Sequence, residues 1–533
     1  MSRTNAAVAD ITETAGVATD RPTVFDDRAL FGQPRGLGLL FITEMWERFS
    51  YYGMRAILVL YLVNALKWDT ARAANLYGTY TMLAFLTPVI GGYLADRFIG
   101  TRRSLVIGAV IISAGHLVLA IPGMTAFYTG LALIIAGTGF FKSNVSTMVG
   151  QIYREGDPRR DSGFTIFYMG INTGAFLGPL VCGGLAQSDR FGWHWGFAAA
   201  GVGMILGLIG YLWGRDKYLP GIGIGTKSAS RDGTAAVSAA PVTADAAAAA
   251  GANPVIHGAI GAVGGAIVGW LIASGNYLGV LMGLIVGAAV GVTVLGSRGE
   301  ERRRVIALFI VVFFVIFFWA AYEQAGSSMN LFADKNTDLH VGSRAIPSSW
   351  FQSVNPAVIL IFAPTFAWLW GALGRANREP STALKMALGL FLLGGGFVFM
   401  MIGGRRADAG VLVSPLWLVA AYTFHTWGEL CLSPVGLSYV SKVAPWRFAG
   451  LLMGVWFLAN AVANKLAGAL AAFTPVPGEA PAARASGLAG YVQSVSQTNF
   501  GFYSIFVVSS LAAAVLMLAF VPMLKGLTRS VKA

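Results

Sequence analysis

Apolar runs of about twenty residues follow one another along almost the whole chain, parted by short polar segments. They fall at approximately 37–64, 73–97, 103–122, 125–149, 163–186 and 194–214, then 255–274 and 277–297. A last set lies at about 304–332, 348–374, 383–402, 412–440, 448–472 and 499–526. A run of about 20 apolar residues crosses the hydrocarbon core as a helix, because lipid offers backbone groups no other partner. Six, two and six runs predict an all-α integral membrane protein with fourteen spans. Spans grouped in this way suggest a carrier built of repeated halves.

Composition agrees. Of 533 residues, 56% are hydrophobic and only 12% charged, whereas soluble domains carry about 25% charged residues. The net charge of +13 does not point to nucleic acid. Its basic residues cluster between the apolar runs, as in Arg154/Arg159/Arg160, Arg302/Arg303/Arg304 and Arg375/Arg378. Alternate loops then hold roughly twenty Lys/Arg on one side and roughly eight on the other, which predicts both termini in the cytoplasm of a plasma (bacterial inner) membrane. Cys182 and Cys431 lie inside apolar runs and suit neither a zinc site nor a disulfide framework. No metal or other cofactor is expected. A Walker loop and a Ser-His-Asp arrangement are both missing, which argues against an enzyme.

The expected organisation is a disordered cytoplasmic tail at 1–30, a six-helix bundle at 31–217 and a flexible cytoplasmic linker at 218–253. A two-helix hairpin at 254–298, a second six-helix bundle at 299–526 and a short tail at 527–533 complete it. The linker is marked by Ala/Ser/Thr/Asp-rich low complexity. The hairpin is rich in Gly, Ala and Val, which suits close helix contact and offers a polar substrate nothing.

The first run breaks its own pattern. Glu44, Glu47, Arg48 and Arg55 lie within it, and four unpaired charges would cost about 10 kcal/mol or more at mid-membrane. At about 100° per residue, positions 44, 47, 48, 51 and 55 share an arc of about 100°. The charges and Tyr51 therefore face one polar interior. Lys142 lies about 10 Å of helix from the nearest loop, a long reach for snorkelling. Glu323 falls in the outer part of its run, and Glu429 falls mid-run with His425 and Ser433 one turn to either side. For Asn172 and Asn355 a packing bond and a substrate contact fit equally. Trp319 and Trp456 look too deep for an interfacial belt and read as cavity walls. Lys465 reads as a snorkelling residue, and His425 as a helix brace or a proton group.

Counting charges is informative here. Glu44, Glu47, Glu323 and Glu429 face Arg48, Arg55 and Lys142, leaving one carboxylate over. A zwitterionic ligand does not change that sum, and a desolvated carboxylate without a partner takes a proton. The count suggests a proton-coupled carrier of a substrate with both amine and carboxylate, provided Lys465 stays outside.

Between the second and third runs stands Gly91-Gly92-Tyr93-Leu94-Ala95-Asp96-Arg97-Phe98-Ile99-Gly100-Thr101-Arg102-Arg103. It resembles the cytoplasmic loop signature of the major facilitator superfamily, in which Asp96, Arg97, Arg102 and Arg103 would latch facing helix ends. More specifically, the chain resembles the proton-dependent oligopeptide transporter (POT) family. The resemblance rests on Glu44, Glu47, Arg48, Phe49, Tyr51, Tyr52 and Gly53, on Gly139-Phe140-Phe141-Lys142, and on Phe164 to Tyr168 with Asn172. It continues through Phe318-Trp319 with Glu323-Gln324, Trp350 to Ser353 with Asn355-Pro356, and Gly428-Glu429 with Ser433 to Ser438.

The resemblance implies uptake of di- and tripeptides with protons by alternating access, by a protein expected to be monomeric. Glu44, Glu47, Arg48 and Lys142 would couple the proton. Arg55 and Lys142 would attract the peptide carboxylate, and Glu429 with Asn172 and Asn355 would hold the amino end. Tyr51, Tyr52, Trp319 and Trp456 would line side-chain pockets, and Glu323 would pair with Arg55 as a protonatable gate. The chain departs from the family where many members carry Tyr and it has Phe85. It also has no His in the second span. Plant members of the family suggest an alternative, a proton-coupled carrier of a small anion such as nitrate, against which the buried Glu429 argues.

Overall fold

The computed structural model describes residues 24–224, 254–272, 277–477 and 487–528. Most of the expected linker and parts of both expected tails lie outside these. The first half comprises α1 (Arg35–Leu60), α2 (Thr70–Leu94), α3 (Thr101–Leu119), α4 (Met124–Gln151), α5 (Arg159–Ala186) and α6 (Trp193–Tyr218). The hairpin is α7 (Pro254–Ile272) and α8 (Tyr277–Val290). The second half contains α9 (Gly299–Tyr322), the short α10 (Ser328–Asn336), α11 (Val354–Arg375), α12 (Thr382–Ala407), α13 (Leu416–Val443), α14 (Ala449–Ala471), the short α15 (Gly487–Val495) and α16 (Asn499–Leu527). A two-stranded hairpin, β1 (His340–Val341) and β2 (Arg344–Ala345), follows α10. Among the described residues, a helix thus stands at each of the fourteen predicted apolar runs.

Ten helices among the described residues are long and apolar enough to cross a membrane. The hairpin pair is shorter. α1 and α13 are not among the ten, and these are the two that carry Glu44 to Arg55 and His425 to Glu429. Polar side chains lower their hydropathy because they face protein and not lipid.

In the first half α1 seats against α5 and α6, and α3 pairs with α4; in the second, α12 packs on α13 and α16, and α9 on α14. The halves meet along α2 and α14. Small residues permit this approach: a Cβ on Gly78 would lie 2.7 Å from the Gly468 Cα. Gly261, Gly265 and Gly269 do the same in the hairpin, where any Cβ would come within 2.1 Å of a backbone oxygen of α8. Close contact through small residues is what the hairpin composition predicts.

We call the face on which α1 begins the near face and the other the far face. Bonds between the halves gather toward the far face. There Asn64 donates to Asp334 (2.9 Å) and accepts from Lys335 (2.6 Å), and within the second half Ser348 braces Asp334 (3.0 Å). Gln187, just past α5, donates to Ser348 (2.8 Å) and accepts from the Ser349 hydroxyl (2.6 Å). Deeper in, Trp350 Nε1 donates to the Leu180 carbonyl (3.0 Å) and Asn330 to that of Ala56 (2.8 Å).

At the near face one expectation needs correcting. Residues 24–30, expected within a disordered tail, are docked. Val24 is buried in a short 3₁₀ turn, and Arg159 donates to the carbonyls of Phe25 (2.7 Å) and Asp27 (3.1 Å). Gln33 then bridges Tyr153 and Ser162, each at 2.8 Å.

Candidate functional site

Three groups of polar side chains occupy the interior. The first is on α1. Arg48 Nε lies 2.7 Å from Glu44 Oε1 and 2.6 Å from Glu47 Oε2, and all three residues are buried. The sharing is incomplete, since Glu44 Oε2 and Arg48 Nη2 are buried without a hydrogen-bond partner among the described residues. The Arg48 guanidinium also stands 5.6 Å from the Tyr51 ring centroid, and Tyr51 packs edge-on to Tyr52.

The second group joins the halves. Arg55 is ion-paired with Glu323 and donates to the Tyr77 hydroxyl (2.5 Å). Glu323 sits where α9 tightens into the 3₁₀ turn Glu323–Gly326. That break turns its carboxylate toward α1, and Gln324 anchors it by donating to the Ala467 carbonyl of α14 (3.0 Å). Gly326 is obligatory beside it, because a Cβ there would lie 1.8 Å from the Tyr77 oxygen.

The third group is on the second half. Glu429 accepts from the Tyr322 hydroxyl and from Asn355 Nδ2 (3.0 Å), which also reaches Thr426 Oγ1 (2.9 Å). Every hydrogen-bond donor to Glu429 among the described residues is neutral. Trp319 packs edge-on to Tyr322, at 5.0 Å between centroids.

Lys142 faces the first group from α4. Its carboxylate neighbours Glu44 and Glu47 are within electrostatic reach. Among the described residues, however, its ammonium has no carboxylate within 4.0 Å and no hydrogen bond. It stands 3.9 Å above the centre of the Phe85 ring.

Other predicted residues are placed differently. Asn172 donates to the Tyr168 carbonyl of its own helix (2.9 Å), neither a bond between helices nor a free amide. Trp456 is buried in the apolar core of the second half. Ser433 lies in α13, but its side chain is outside the described residues. Lys465 does not snorkel: it donates to Thr79 across the α2–α14 seam (2.9 Å). His425 is buried with its ring 4.4 Å from that of Phe397, as a helix brace would be.

In the loop, Arg102 donates to Asp216 (2.9 Å) and to carbonyls at the end of α6, so its clamp is within the first half. Asp96 lies in the π turn Ala95–Ile99; Arg97, which reaches Tyr93 (3.4 Å), and Arg103 are exposed. Tyr77, Tyr322 and Thr426 also belong to the three interior groups, and the buried Tyr80 hydroxyl has no hydrogen-bond partner among the described residues. Tyr77 and Tyr80 are polar aromatics one turn apart in an apolar run, a usable signal. Tyr322 and Thr426 gain meaning only from the tertiary contact with Asn355 and Glu429.

Two helical halves closing on buried, opposed charges define a membrane transporter of major facilitator architecture, not an enzyme. The family model described as "PTR2: POT family" matches residues 102–486, and the chain belongs to the POT family. It is 42% identical over 450 residues to the "Uncharacterized transporter YclF" of Bacillus subtilis (strain 168), covering 82% of this chain and 88% of that one. It is 35% identical over 464 residues to a "Di-/tripeptide transporter" of Lactococcus lactis subsp. cremoris, covering 83% and 89%. A crystal structure of "peptide transporter POT in complex with sulfate" superposes with a TM-score of 0.75 at 37% identity, covering 95% of this chain and 98% of that chain.

Proposed function

We propose that this protein is a proton-coupled symporter that imports di- and tripeptides by alternating access. One observation carries the reading. Among the described residues, Arg55 is paired with Glu323 and Arg48 is shared by Glu44 and Glu47, while Lys142 on the first half and Glu429 on the second each lack an opposite charge within 4.0 Å; Lys465 is held apart from them on Thr79 at the seam. A short peptide offers a carboxylate to the one and an ammonium to the other, and binding it draws the halves together. An anion would satisfy Lys142 and be repelled by Glu429.

In this reading Glu44, Glu47 and Arg48 with Lys142 form the proton switch, since Arg48 cannot neutralise two carboxylates at once. Arg55 and Glu323 are the far-side gate, with Arg55 also within reach of the peptide. Glu429, positioned by Asn355 and Tyr322, receives the peptide amine. Tyr51, Tyr52, Trp319 and Asn172 border the peptide; Ser433 and Trp456 are kept as peptide-side residues of α13 and α14. The protein is a monomer of the bacterial inner membrane with both termini cytoplasmic. Its bundles at 31–217 and 299–526 rock about the site, and Asp96, Arg97, Arg102 and Arg103 brace the near face.

The test is counterflow in proteoliposomes with a labelled dipeptide, its N-acetylated form and nitrate as competitors. Competition by the free dipeptide alone is expected. Equal competition by the N-acetylated peptide would remove Glu429 from amine recognition, and competition by nitrate would favour the anion carrier. An inward proton gradient should raise dipeptide accumulation.

A further inference from the structure

Lys142 is a half-buried ammonium held by a ring rather than by an acid. Nothing in its own helix explains that choice, but α2 does. α2 and α4 run parallel and meet at Gly139, where a Cβ would lie 3.0 Å from Thr87, and Thr87 Oγ1 donates to the Ile135 carbonyl (2.9 Å). A helical side chain leans back toward the start of its helix, and Lys142 leaning this way arrives over Phe85. The ring itself is fixed. It packs against a buried cluster of Met82 from α2, Met282 from the hairpin, and Leu458 and Ala461 from α14. Phe85 thus touches the ammonium on one side and the seam between the halves on the other.

The chemistry of this seat differs from that of an ion pair. A ring face attracts a cation through its quadrupole without cancelling the charge. A carboxylate within 4.0 Å would cancel it and compete with any incoming anion. We infer that Phe85 is a positioning residue that holds the Lys142 ammonium charged and unpaired, ready for the carboxylate of the substrate. Because the ring packs against a cluster that includes Leu458 and Ala461 of the second half, this seat also adjoins the contact between the halves. The role in recognition rests on the peptide reading above; the seat itself does not.

Two measurements on the full chain separate these. The first is dipeptide affinity. Phe85→Leu is expected to raise Kd on the order of tenfold, while Phe85→Tyr, which keeps the ring face, stays within about twofold of the parent. The second is a double-mutant cycle in melting temperature, which needs no ligand. Phe85→Leu should lower the midpoint more when Lys142 is present than in a Lys142→Met background, where only the packing loss remains. Equal losses in both backgrounds would overturn the seat, and so would an equal rise in Kd for Phe85→Tyr. If the unmodified protein binds no dipeptide, the substrate reading fails while the thermal cycle still decides the role of Phe85.

Discussion

Asn64→Ala removes one side chain from the far face and cuts two bonds between the halves. Asn64 donates to Asp334 Oδ2 at 2.9 Å and accepts from Lys335 Nζ at 2.6 Å. Hydrogen bonds to charged groups contribute about 1.5–3 kcal/mol each. The Lys335 side chain is 34% exposed, so solvent screening takes most of the value of that bond. A net loss of about 2 kcal/mol remains. Since about 1.4 kcal/mol is a factor of ten, the balance between far-closed and far-open forms should move by about 30-fold toward open. Spin labels on the exposed positions Lys67 and Arg344 lie on opposite halves and report that balance by electron–electron double resonance. The expected result is a new, longer distance population in Asn64→Ala, reduced again by Asn64→Gln if the longer amide reaches the same partners. An unchanged distance distribution in the alanine variant would refute the argument that this network holds the far face shut.

Three further outcomes follow from the same geometry. Glu47→Gln leaves Arg48 with Glu44 alone, so proton-driven dipeptide accumulation should fall to the level seen without a gradient while counterflow persists; accumulation that still follows the gradient would exclude Glu47 from coupling. Gly78→Val places methyl groups where even a Cβ would be 2.7 Å from Gly468 Cα, and overpacking of this kind costs about 1–3 kcal/mol. A lower melting temperature, partly restored by no single change in α2 alone, is expected. At the near face, hydrogen bonds from the Arg159 side chain and backbone hold Asp157 below the usual carboxylate range. A lowered carboxylate contributes stability above its ordinary titration range and loses it only as pH falls through the lowered value. The Asp157–Arg159 clasp should therefore persist from about pH 8 to about pH 5. Amide protection factors over residues 24–34, corrected for the intrinsic pH dependence of exchange, should be flat across that range and fall in Arg159→Ala.

How much of this was visible in the chain itself depends on the kind of signal. The long helices follow from apolar runs because a bilayer leaves a chain no alternative way to satisfy its backbone. The charged face of α1 follows from helical periodicity together with the cost of burying charge. What the sequence could not give is which charge meets which. Lys465 has the same apparent depth as a snorkelling lysine, and only the approach of α2 to α14 through Gly78 and Gly468 puts Thr79 beside it. Arg102 reads as a latch between helix ends, but its partners are set by where α6 stops and residues 219–223 turn back. Asn172 differs for a local reason: an Asn inside a helix can satisfy its amide on the carbonyl four residues back, and here it does.

In the proposed mechanism, the division of charge between the halves sets coupling and recognition in separate places. On α1 the excess is internal, because one guanidinium serves two carboxylates that are four and one residues before it in the chain. No rearrangement of the halves changes that ratio; a proton does. On the second half the excess sits on Glu429, where neutral donors from α9 and α11 orient the carboxylate without compensating it. A rearrangement that brings Lys142 or a bound ammonium nearer changes the energy of that group directly. The Arg55–Glu323 pair spans the halves, joining α1, which carries the first group, to the turn that follows Tyr322, a donor to Glu429. Removing the gate while keeping the ends, as in Glu323→Gln, should therefore uncouple the halves without abolishing dipeptide binding. Loss of binding in that variant, with melting temperature unchanged, would instead place Glu323 in the recognition of the peptide itself.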